Sequence, residues 1–528
     1  MNRMNEKMLG VMLDCSRNAV YSVESLKNYI DILSKMGYNT LQLYTEDTYE
    51  IKEEPFFGYM RGRYTAKELK ELDDYAYQKG IELMPCIQTL AHLSGFARWK
   101  RELFDVNDIL LADDERTYAL IDNMFKTCAE CFRSRRINIG MDEAHMVGLG
   151  KYLDKHGYKN RSEILVKHLA KVCEIAEKYG FKPMMWSDMF FRLACKGSYY
   201  TTDVTFSQEV IDLVPKNVDL VYWDYYNENQ AHYDAMLKAH KQFNNRIIFA
   251  GGAWSWIGFV PNNTGTMRRH EAALAACTEN GIGDILITVW HDDGAESSLY
   301  ATLPALFHAA QAVKGNGGKG TEGEFEKIVG IPFSDFMAVD LPDRIDEETT
   351  WTNPCKYMLY CDPFLGLYDK SVDESKTAKF TSAKKKLLKL TKNEKYGYLF
   401  QTLASLCSVM EIKYALGVRT RSAYKAKDRA ALEKLVSDYT LVGKRIKAFY
   451  EHFRTQWYLE SKVFGFEKHS ARLGGLICRI EDCKQILKDY LSGKINKIEA
   501  LEAEILPYNN APDGKALYVR VLPPLYAD

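Results

Sequence analysis

The order of apolar runs between residues 8 and 310 restricts the fold of this chain more than any other feature. Eight short apolar runs alternate with amphipathic stretches, and they cover residues 8–14, 40–44, 81–88, 137–142, 182–188, 218–224, 246–252 and 284–290. Several stretches end in glycine just before the next run, as in KMGYNT, QKGIEL and KYGFKP. Such a glycine ends a helix and leads into a buried parallel strand. The pattern therefore predicts an α/β fold, a (β/α)8 TIM barrel.

A doubly wound sheet is the alternative for such alternation, but no glycine-rich phosphate loop follows the first run. The glycine-rich polar segment KGNGGKGTEGE at 314–324 is typical of a boundary or an exposed loop. Beyond it, apolar residues recur with helical spacing from about 375 to 505. We therefore predict a catalytic barrel at 1–315, a connecting segment at 316–370 and a mainly α-helical C-terminal domain at 371–528.

Charge and apolar content exclude several classes of partner. The formal net charge is −1, which gives no electrostatic reason to bind nucleic acid or an acidic membrane surface. No apolar run approaches the roughly 18 residues of a membrane span, and the first residues lack the apolar stretch of a secretion signal. The twelve cysteines are scattered, as is usual for reduced thiols. We expect a cytoplasmic protein with a small-molecule partner, without nucleic acid or membrane.

The fourth apolar run ends in two adjacent carboxylates, Asp142 and Glu143. Barrel enzymes build their active sites at the carboxyl ends of the strands. Neighbouring acids at a barrel mouth cost stability unless one is protonated or both are well hydrogen-bonded. A glutamate with a raised pKa beside an ionised aspartate is an acid/base device. We therefore predict that Asp142 and Glu143 are catalytic.

Aromatic rings gather at the ends of the last four predicted strands. Residues two apart on a strand point to the same side, and the sequence pairs Trp186 with Asp188, Tyr222 with Asp224 and Trp290 with Asp292, while Trp254 follows the seventh run. Rings that cover a sugar's C–H face, beside acids that accept its hydroxyls, make a pyranose pocket. Asp188 could instead cap the following helix, and His92 could be a structural histidine. No HxxxH or HExxH spacing is present, so we predict neither a metal nor a cofactor.

The motif IGMDEAH resembles the Gly-x-Asp-Glu signature of glycoside hydrolase family 20, the β-N-acetylhexosaminidases. GVMLDCSR resembles that family's first strand, and WHDDGAE resembles its last-strand segment. The resemblance covers residues 8–310 and indicates a short form without the family's N-terminal α/β domain. It implies a retaining exo-enzyme that releases terminal β-linked GlcNAc, with GalNAc as a further option. The substrate's acetamide would be the nucleophile and would form an oxazolinium intermediate.

The resemblance also implies a role for each candidate residue. Glu143 would be the general acid and base, and Asp142 would orient the acetamide and stabilise its developing charge. The remaining roles are the tyrosine that bonds the acetamide oxygen (Tyr222), the rings around the acetamide and sugar (Trp186, Trp254, Trp290) and the acid for O4 and O6 (Asp292). His92 would link Glu143 to an acid of the second strand, either Glu46 or Asp47. Leu9 stands where the family has an arginine, and Arg17 is the predicted substitute.

Two other functions are consistent with part of the pattern. An O-GlcNAc hydrolase-like glycosidase would use a similar barrel, although such sites have two adjacent aspartates rather than Asp-Glu. A non-catalytic sugar-binding barrel would need only the rings and acids, with the helical domain carrying the activity. The substrate in each case is a small glycoside or oligosaccharide. A homodimer is a further expectation, since barrel hydrolases of this layout can close their sites with a partner chain.

Overall fold

The computed structural model describes residues 7–316, 322–345, 352–510, 513–516 and 518–519. It divides into two compact units. The first contains Met1–Ala253, Thr266–Trp290 and Ala305–Gly320, and the second contains Trp254–Gly265, His291–Pro304 and Thr321–Asp528. The second unit thus includes two segments that come from inside the predicted barrel region. The boundaries expected at 315 and 370 stay a prediction.

The strands of the first unit form one closed parallel barrel in chain order. They are β1 (Leu9–Asp14), β2 (Thr40–Thr45), β3 (Glu82–Ile87), β4 (Arg136–Asn138), β5 (Lys182–Trp186), β6 (Asp219–Trp223), β7 (Ile247–Gly252) and β8 (Ile285–Val289). Each predicted apolar run overlaps one of these strands, and β1 pairs with β8 to close the ring. The predicted (β/α)8 barrel with a mainly helical C-terminal region is confirmed.

Helices follow the strands and then dominate the rest of the chain. They are α1 (Val23–Met36), α2 (Ala66–Gln78), α3 (Ser94–Ala97), α4 (Glu115–Cys131), α5 (Lys151–His156), α6 (Arg161–Lys178), α7 (Asp188–Ala194), α8 (Gln208–Leu213), α9 (Gln230–Lys241), α10 (Asn263–Glu279), α11 (Leu303–Gln311), α12 (Glu322–Val329), α13 (Phe333–Phe336), α14 (Pro354–Tyr360), α15 (Thr377–Leu390), α16 (Gly397–Lys425), α17 (Arg429–Glu460), α18 (Phe466–Leu491) and α19 (Glu499–Glu502). Among the described helices, none combines the length and apolar character that a membrane span requires.

Local sequence signals set the bounds of the first helices. The Ser22 side chain accepts the Ser25 N–H at the start of α1, and Gly37 ends that helix at a φ of 96°. Thr65 and Glu68 form a reciprocal capping box at the start of α2. These caps satisfy backbone groups that a helix end leaves without partners. They explain why the glycine-terminated repeats were readable from the sequence.

Strand β4 is shorter than the sequence pattern predicts. The apolar run continues to Met141, but the strand ends at Asn138. Gly140 and Met141 have φ values of 73° and 71°, which are left-handed and cannot continue a strand. The two acids that follow therefore lie on a turn rather than on the strand itself.

In the second unit, α15, α16, α17 and α18 pack against one another in chain order. The two segments that interrupt the barrel sequence are built into this helical core. Phe259 from the first segment packs edge-on against Phe449 of α17, with ring centroids 5.1 Å apart. In the second segment, the Leu299 N–H donates to the Glu460 carboxylate at 2.8 Å. The loops that follow β7 and β8 thus belong to the helical unit.

Candidate active site

The turn that carries the two acids is held in a strained conformation by two side chains. Glu143 has a φ of 52°, a left-handed value that is uncommon for a residue other than glycine. Its backbone N–H donates to Asp188 at 3.1 Å, and the Met141 N–H donates to the Gln88 amide oxygen at 3.2 Å. A Cβ at position 140 would overlap Gln88, so this position requires glycine. The surrounding hydrogen bonds offset the strain and fix the direction of both acids.

Asp142 forms a buried ion pair with His92. The His92 Nε2 lies 3.1 Å from the Asp142 Oδ2, and Gln88 donates to the other carboxylate oxygen at 2.8 Å. Burial favours the neutral forms of both groups, but their mutual attraction outweighs it. The pKa of Asp142 stays below its ordinary value, and the pKa of His92 rises to about 9. At neutral pH the pair is therefore a carboxylate and an imidazolium.

Glu143 lies beside this pair but is open to solvent. Its side chain is 43% exposed, against 11% for Asp142. One carboxylate oxygen lies 3.9 Å from His92 Nε2, and the other lies 3.8 Å from the Arg192 guanidinium. A carboxyl group with solvent access next to an ionised neighbour can exchange protons with a substrate and with water.

Asp188 and Arg192 support the turn from the start of α7. Arg192 Nε donates to Asp188 Oδ2 at 3.0 Å, and this same oxygen accepts the Glu143 N–H. Burial, with the nearby Asp142 carboxylate, raises the pKa of Asp188 to about 7. The sequence analysis left Asp188 open between a sugar-binding acid beside Trp186 and a helix cap, and it did not identify Arg192. The available signal was their i, i+4 spacing in DMFFR, which places an acid and a base on one helix face.

Arg17 occupies a central place at the mouth of the barrel. Its guanidinium lies 3.0 Å from Asp14 and 3.0 Å from Glu46. The same group lies over the rings of Tyr44 and Trp290, at 4.7 and 4.6 Å from the centroids. A cation held between two carboxylates and two rings is fixed in orientation. Its predicted contact with sugar hydroxyls stays a prediction.

His92 interacts electrostatically with Glu46, although each second-strand acid has an arginine as its ion-pair partner. Glu46 pairs with Arg17, and Asp47 pairs with Arg61. The nearest ionic partner of His92 is Asp142, followed by Glu143. His92 thus lies beside both members of the acid pair, and its predicted link from Glu143 to an acid of the second strand stays a prediction.

Three rings line the barrel interior next to these charged groups. Trp290 packs edge-on against Tyr44 at 4.7 Å and lies 5.9 Å from Trp186, measured between ring centroids. The Trp290 indole N–H donates to the Tyr225 hydroxyl at 3.0 Å. Burial first, and the Asp142 carboxylate as a smaller cause, keep the pKa of Tyr225 well above its ordinary value. Its hydroxyl therefore remains protonated, and it also shares a hydrogen bond with Thr288.

Tyr222 and Asp224, both predicted to bind substrate, lie elsewhere, and the structure corrects that prediction. The Tyr222 ring is fully buried and packs on His240 of α9, with centroids 4.6 Å apart. Its hydroxyl donates to Asp224 at 3.0 Å, and Asp224 also bonds His232 at 2.8 Å. Tyr222 and Asp224 point to the same side of the strand, as predicted, but this side faces α9. Tyr225, beyond the strand end, is the tyrosine that joins the rings of the mouth.

Trp254 and Asp292 belong to the second unit. Trp254 is buried and lies against Trp256, with centroids 4.8 Å apart. Asp292 precedes a buried ion cluster in which Lys356 lies 2.9 Å from both Asp293 and Glu296. Arg472 lies 2.7 Å from Asp293 and 3.3 Å from Glu296. The helical unit thus fixes the segment that carries Asp292. The predicted sugar contacts of Trp254 and Asp292 stay predictions.

The described side chains include no group of three histidines, cysteines or acids placed to hold a metal ion. The groups described above at this mouth are carboxyl groups, one imidazole, two guanidinium groups and several rings. An ionised acid and a solvent-accessible acid lie side by side at the carboxyl end of β4. Such an arrangement can stabilise a developing positive charge while it moves a proton.

Comparison with known proteins identifies two domains. The family model of the glycosyl hydrolase family 20 catalytic domain matches residues 8–250, and that of the glycoside hydrolase 20C C-terminal domain matches residues 334–519. The "Probable beta-hexosaminidase" of Arthroderma benhamiae is 21% identical over 252 residues, which are 41% of this chain and 38% of that protein. Human "Hexosaminidase D" is 22% identical over 346 residues, which are 60% of this chain and 68% of that protein. The chain thus spans little more than a third of the first relative.

A solved β-N-acetylhexosaminidase from Bacteroides fragilis has a TM-score of 0.46 and 20% identity, covering 62% of this chain and 69% of that one. The two family 20 models together cover most of the barrel and of the helical region. They confirm the family resemblance inferred from IGMDEAH and GVMLDCSR, while WHDDGAE at 290–296 lies outside both matched ranges. This chain is a glycoside hydrolase of family 20.

Proposed function

We propose that this protein is a retaining exo-β-N-acetylglucosaminidase or β-N-acetylhexosaminidase. The observation that carries the proposal is the ionised Asp142–His92 pair beside the solvent-open Glu143. A pocket acid that stays negative at neutral pH suits a substrate whose own acetamide nitrogen becomes positive. The β-hexosaminidases among the relatives support the same class of substrate.

The first step breaks the glycosidic bond. The substrate's acetamide oxygen attacks the anomeric carbon from the face opposite the leaving group, and a C–O bond forms there as the glycosidic C–O bond breaks. Glu143 gives its proton to the departing oxygen. Asp142 accepts the acetamide N–H and stabilises the oxazolinium charge, while the Tyr225 hydroxyl donates to the acetamide oxygen and aligns it.

The second step opens the oxazolinium ring. Glu143, now a carboxylate, takes a proton from water as that water attacks the anomeric carbon. The C–O bond to the acetamide oxygen breaks, and its electron pair restores the acetamide. Two inversions at one carbon give overall retention, without a covalent bond to the enzyme. His92 keeps Asp142 ionised through both steps because the imidazolium stabilises the carboxylate.

Sugar recognition in this proposal depends on rings and on Arg17. Trp186 and Trp290 enclose the acetamide methyl group and the sugar's C–H face. Leu9 stands where the family has an arginine that binds sugar hydroxyls, and Arg17 binds these hydroxyls instead. By sequence, Asp292 stands where many family members have the longer glutamate that bonds O4 and O6. We therefore propose that both GlcNAc and GalNAc are accepted.

The decisive variant is Glu143→Gln, which preserves shape and removes the transferable proton. With an aryl β-GlcNAc, whose leaving group needs little protonation, we expect partial activity. With β-linked GlcNAc disaccharides, we expect a loss of about a hundredfold or more in kcat. Equal activity of the variant and wild-type protein on disaccharides would contradict the assignment. A thiazoline analogue of the intermediate should inhibit the wild-type protein, and absence of inhibition would favour an enzyme carboxylate as nucleophile.

We further propose a cytoplasmic location and a homodimer. The twelve cysteines are all free thiols, which supports a reducing compartment. Cell fractionation tests the location, and light scattering at several concentrations tests the dimer. A secreted protein carrying disulfides, or a monomer at all concentrations, would contradict the respective proposal.

A further inference from the structure

Three solvent-exposed aromatic rings form a continuous cluster on the first unit. Phe56, Tyr59 and Trp99 are 40%, 39% and 45% exposed, and we call these three residues the aromatic platform. Phe56 and Trp99 are stacked with centroids 5.6 Å apart, and Tyr59 meets the Trp99 ring edge-on at 5.3 Å. Isolated exposed rings are common, but contiguous exposed apolar surface usually marks a binding site.

The platform stands on a rigid base. Below it, the buried rings of Phe57 and Phe96 contact each other at 5.1 Å and join the loop after β2 to the loop after β3. Arg63 donates to the Pro55 carbonyl at 2.9 Å and also to the Phe57 carbonyl. Because the buried rings join the two loops and Arg63 binds the backbone of the first loop, the exposed rings are ordered before any ligand arrives. Such order reduces the entropy cost of binding.

The platform lies at the same end of the barrel as the acid pair. Its rings come from the segments that follow β2 and β3, and the carboxyl ends of parallel strands share one face of a barrel. Arg61, two residues after Tyr59, contacts Asp47 and the Ser16 carbonyl. Ser16 is next to Arg17, which belongs to the mouth. The segment that holds the platform is thus bound directly to the rim of the pocket.

Charges next to the platform are mixed rather than of one sign. The Lys100 ammonium lies 5.9 Å from the centre of the Phe56 ring and 3.4 Å from the Glu54 carboxylate. Lys126 pairs with Glu53 on the same segment. This balance gives no attraction for an acidic or a basic ligand. Rings flanked by neutralised polar groups suit an uncharged sugar, which offers C–H faces to the rings and hydroxyls to Lys100 and Glu54.

We propose that the aromatic platform binds the leaving-group part of the substrate, as a neutral β-linked oligosaccharide that extends out of the pocket. The proposal rests on the proposed function, because the acid pair must accept the terminal sugar of the same chain. It makes Phe56, Tyr59 and Trp99 a subsite for the second or third sugar from the non-reducing end. The enzyme then prefers oligosaccharides over glycosides with a short leaving group.

The test measures kcat/KM for β-linked GlcNAc oligosaccharides of two to four units and for an aryl β-GlcNAc. For the wild-type protein, kcat/KM should rise with chain length. For Trp99→Ala, the ratio of tetramer to aryl activity should fall about three- to tenfold, the loss expected for one stacked ring. Trp99→Phe should recover most of the ratio. Tyr77→Ala is the matched control, because Tyr77 is 58% exposed near the end of α2, at the opposite end of the barrel.

A binding experiment separates failure of the platform from failure of the proposed function. Calorimetry with the same oligosaccharides compares Glu143→Gln alone with Glu143→Gln combined with Trp99→Ala. Length-dependent binding that Trp99→Ala weakens supports the platform even if the wild-type protein hydrolyses none of the substrates. Length-independent binding, or an equal loss on all substrates, would overturn it. A change from dimer to monomer in Trp99→Ala would assign the rings to an interface between copies and would also overturn it.

Discussion

Replacing Asp142 by asparagine should change the titration of His92 in a direction that the structure determines. In the wild-type protein the pKa of His92 is about 9, against an ordinary value of 6.5. The difference between these two pKa values corresponds to about 3 kcal/mol in favour of the imidazolium. The Asp142→Asn variant keeps the shape and an acceptor for Gln88 but removes the charge. Burial lowers the pKa of His92, and in the variant the charge of Asp142 no longer opposes this effect. We therefore expect the pKa of His92 to fall to its ordinary value or lower.

The same shift predicts a pH dependence of stability. A histidine whose pKa is higher in the folded state stabilises the fold fully below the unfolded pKa of about 6.5. That stabilisation disappears as the pH rises through about 9, the pKa in the folded protein. The free energy of unfolding of the wild-type protein should therefore lose about 3 kcal/mol across this window. Asp142→Asn should lack this particular loss.

NMR of histidines labelled at Cε1 measures the pKa directly, and His92→Gln identifies the resonance. Asp224→Asn is the matched control, because it removes a different carboxylate that bonds a different histidine, His232. The control should leave the His92 titration unchanged. A His92 pKa that stays as high in Asp142→Asn as in the wild-type protein, or a wild-type pKa at the ordinary value, would refute the reasoning.

Three further substitutions test separate parts of the structure. Asp188→Ala removes the acceptor of the Glu143 N–H and should cost about 1–3 kcal/mol of unfolding free energy and lower kcat. Asp188→Asn should restore both the stability and kcat. Equal stability and kcat in the two variants would contradict the role of Asp188 as the acceptor that holds the turn. Lys356→Met leaves Asp293 and Glu296 with less cationic charge and should cost about 3–5 kcal/mol in thermal or denaturant unfolding. Gly95→Ala places a Cβ against the Arg61 guanidinium and should cost about 1–3 kcal/mol, whereas Gly474→Ala, with open space around it, should be neutral or stabilising.

The barrel could be predicted from the sequence because the signals that specify its strands and helices are local. Apolar runs, capping residues and terminal glycines each act within a few residues of the chain, as Ser22 and Gly37 do around α1. The ion pair between His92 and Asp142 is different, since it joins residues from two loops. The resemblance placed His92 near the acids, but its partner could be assigned only from the three-dimensional structure.

The misplacement of Tyr222 has a physical cause. Strands of a parallel barrel are buried on both faces, so their sequences are apolar throughout and do not mark the inner side. The spacing correctly paired Tyr222 with Asp224 but could not show that both face α9. Tyr225 follows the end of β6, where the period of two no longer applies. The strained turn at Glu143 was equally hidden, because only Gly140 in it indicates a left-handed conformation.

The assignment of the β7 and β8 loops to the helical unit has a consequence for synthesis on the ribosome. The Gly294 carbonyl bonds His469, a partner made 175 residues later in the chain. At about 5–20 residues per second, the loop waits roughly 10–35 seconds for this partner. All eight strands are translated before then, so the barrel sheet can form while the segment with Asp292 is still unsupported. The loops that follow β7 and β8 therefore reach their final contacts late, after all eight strands have been made.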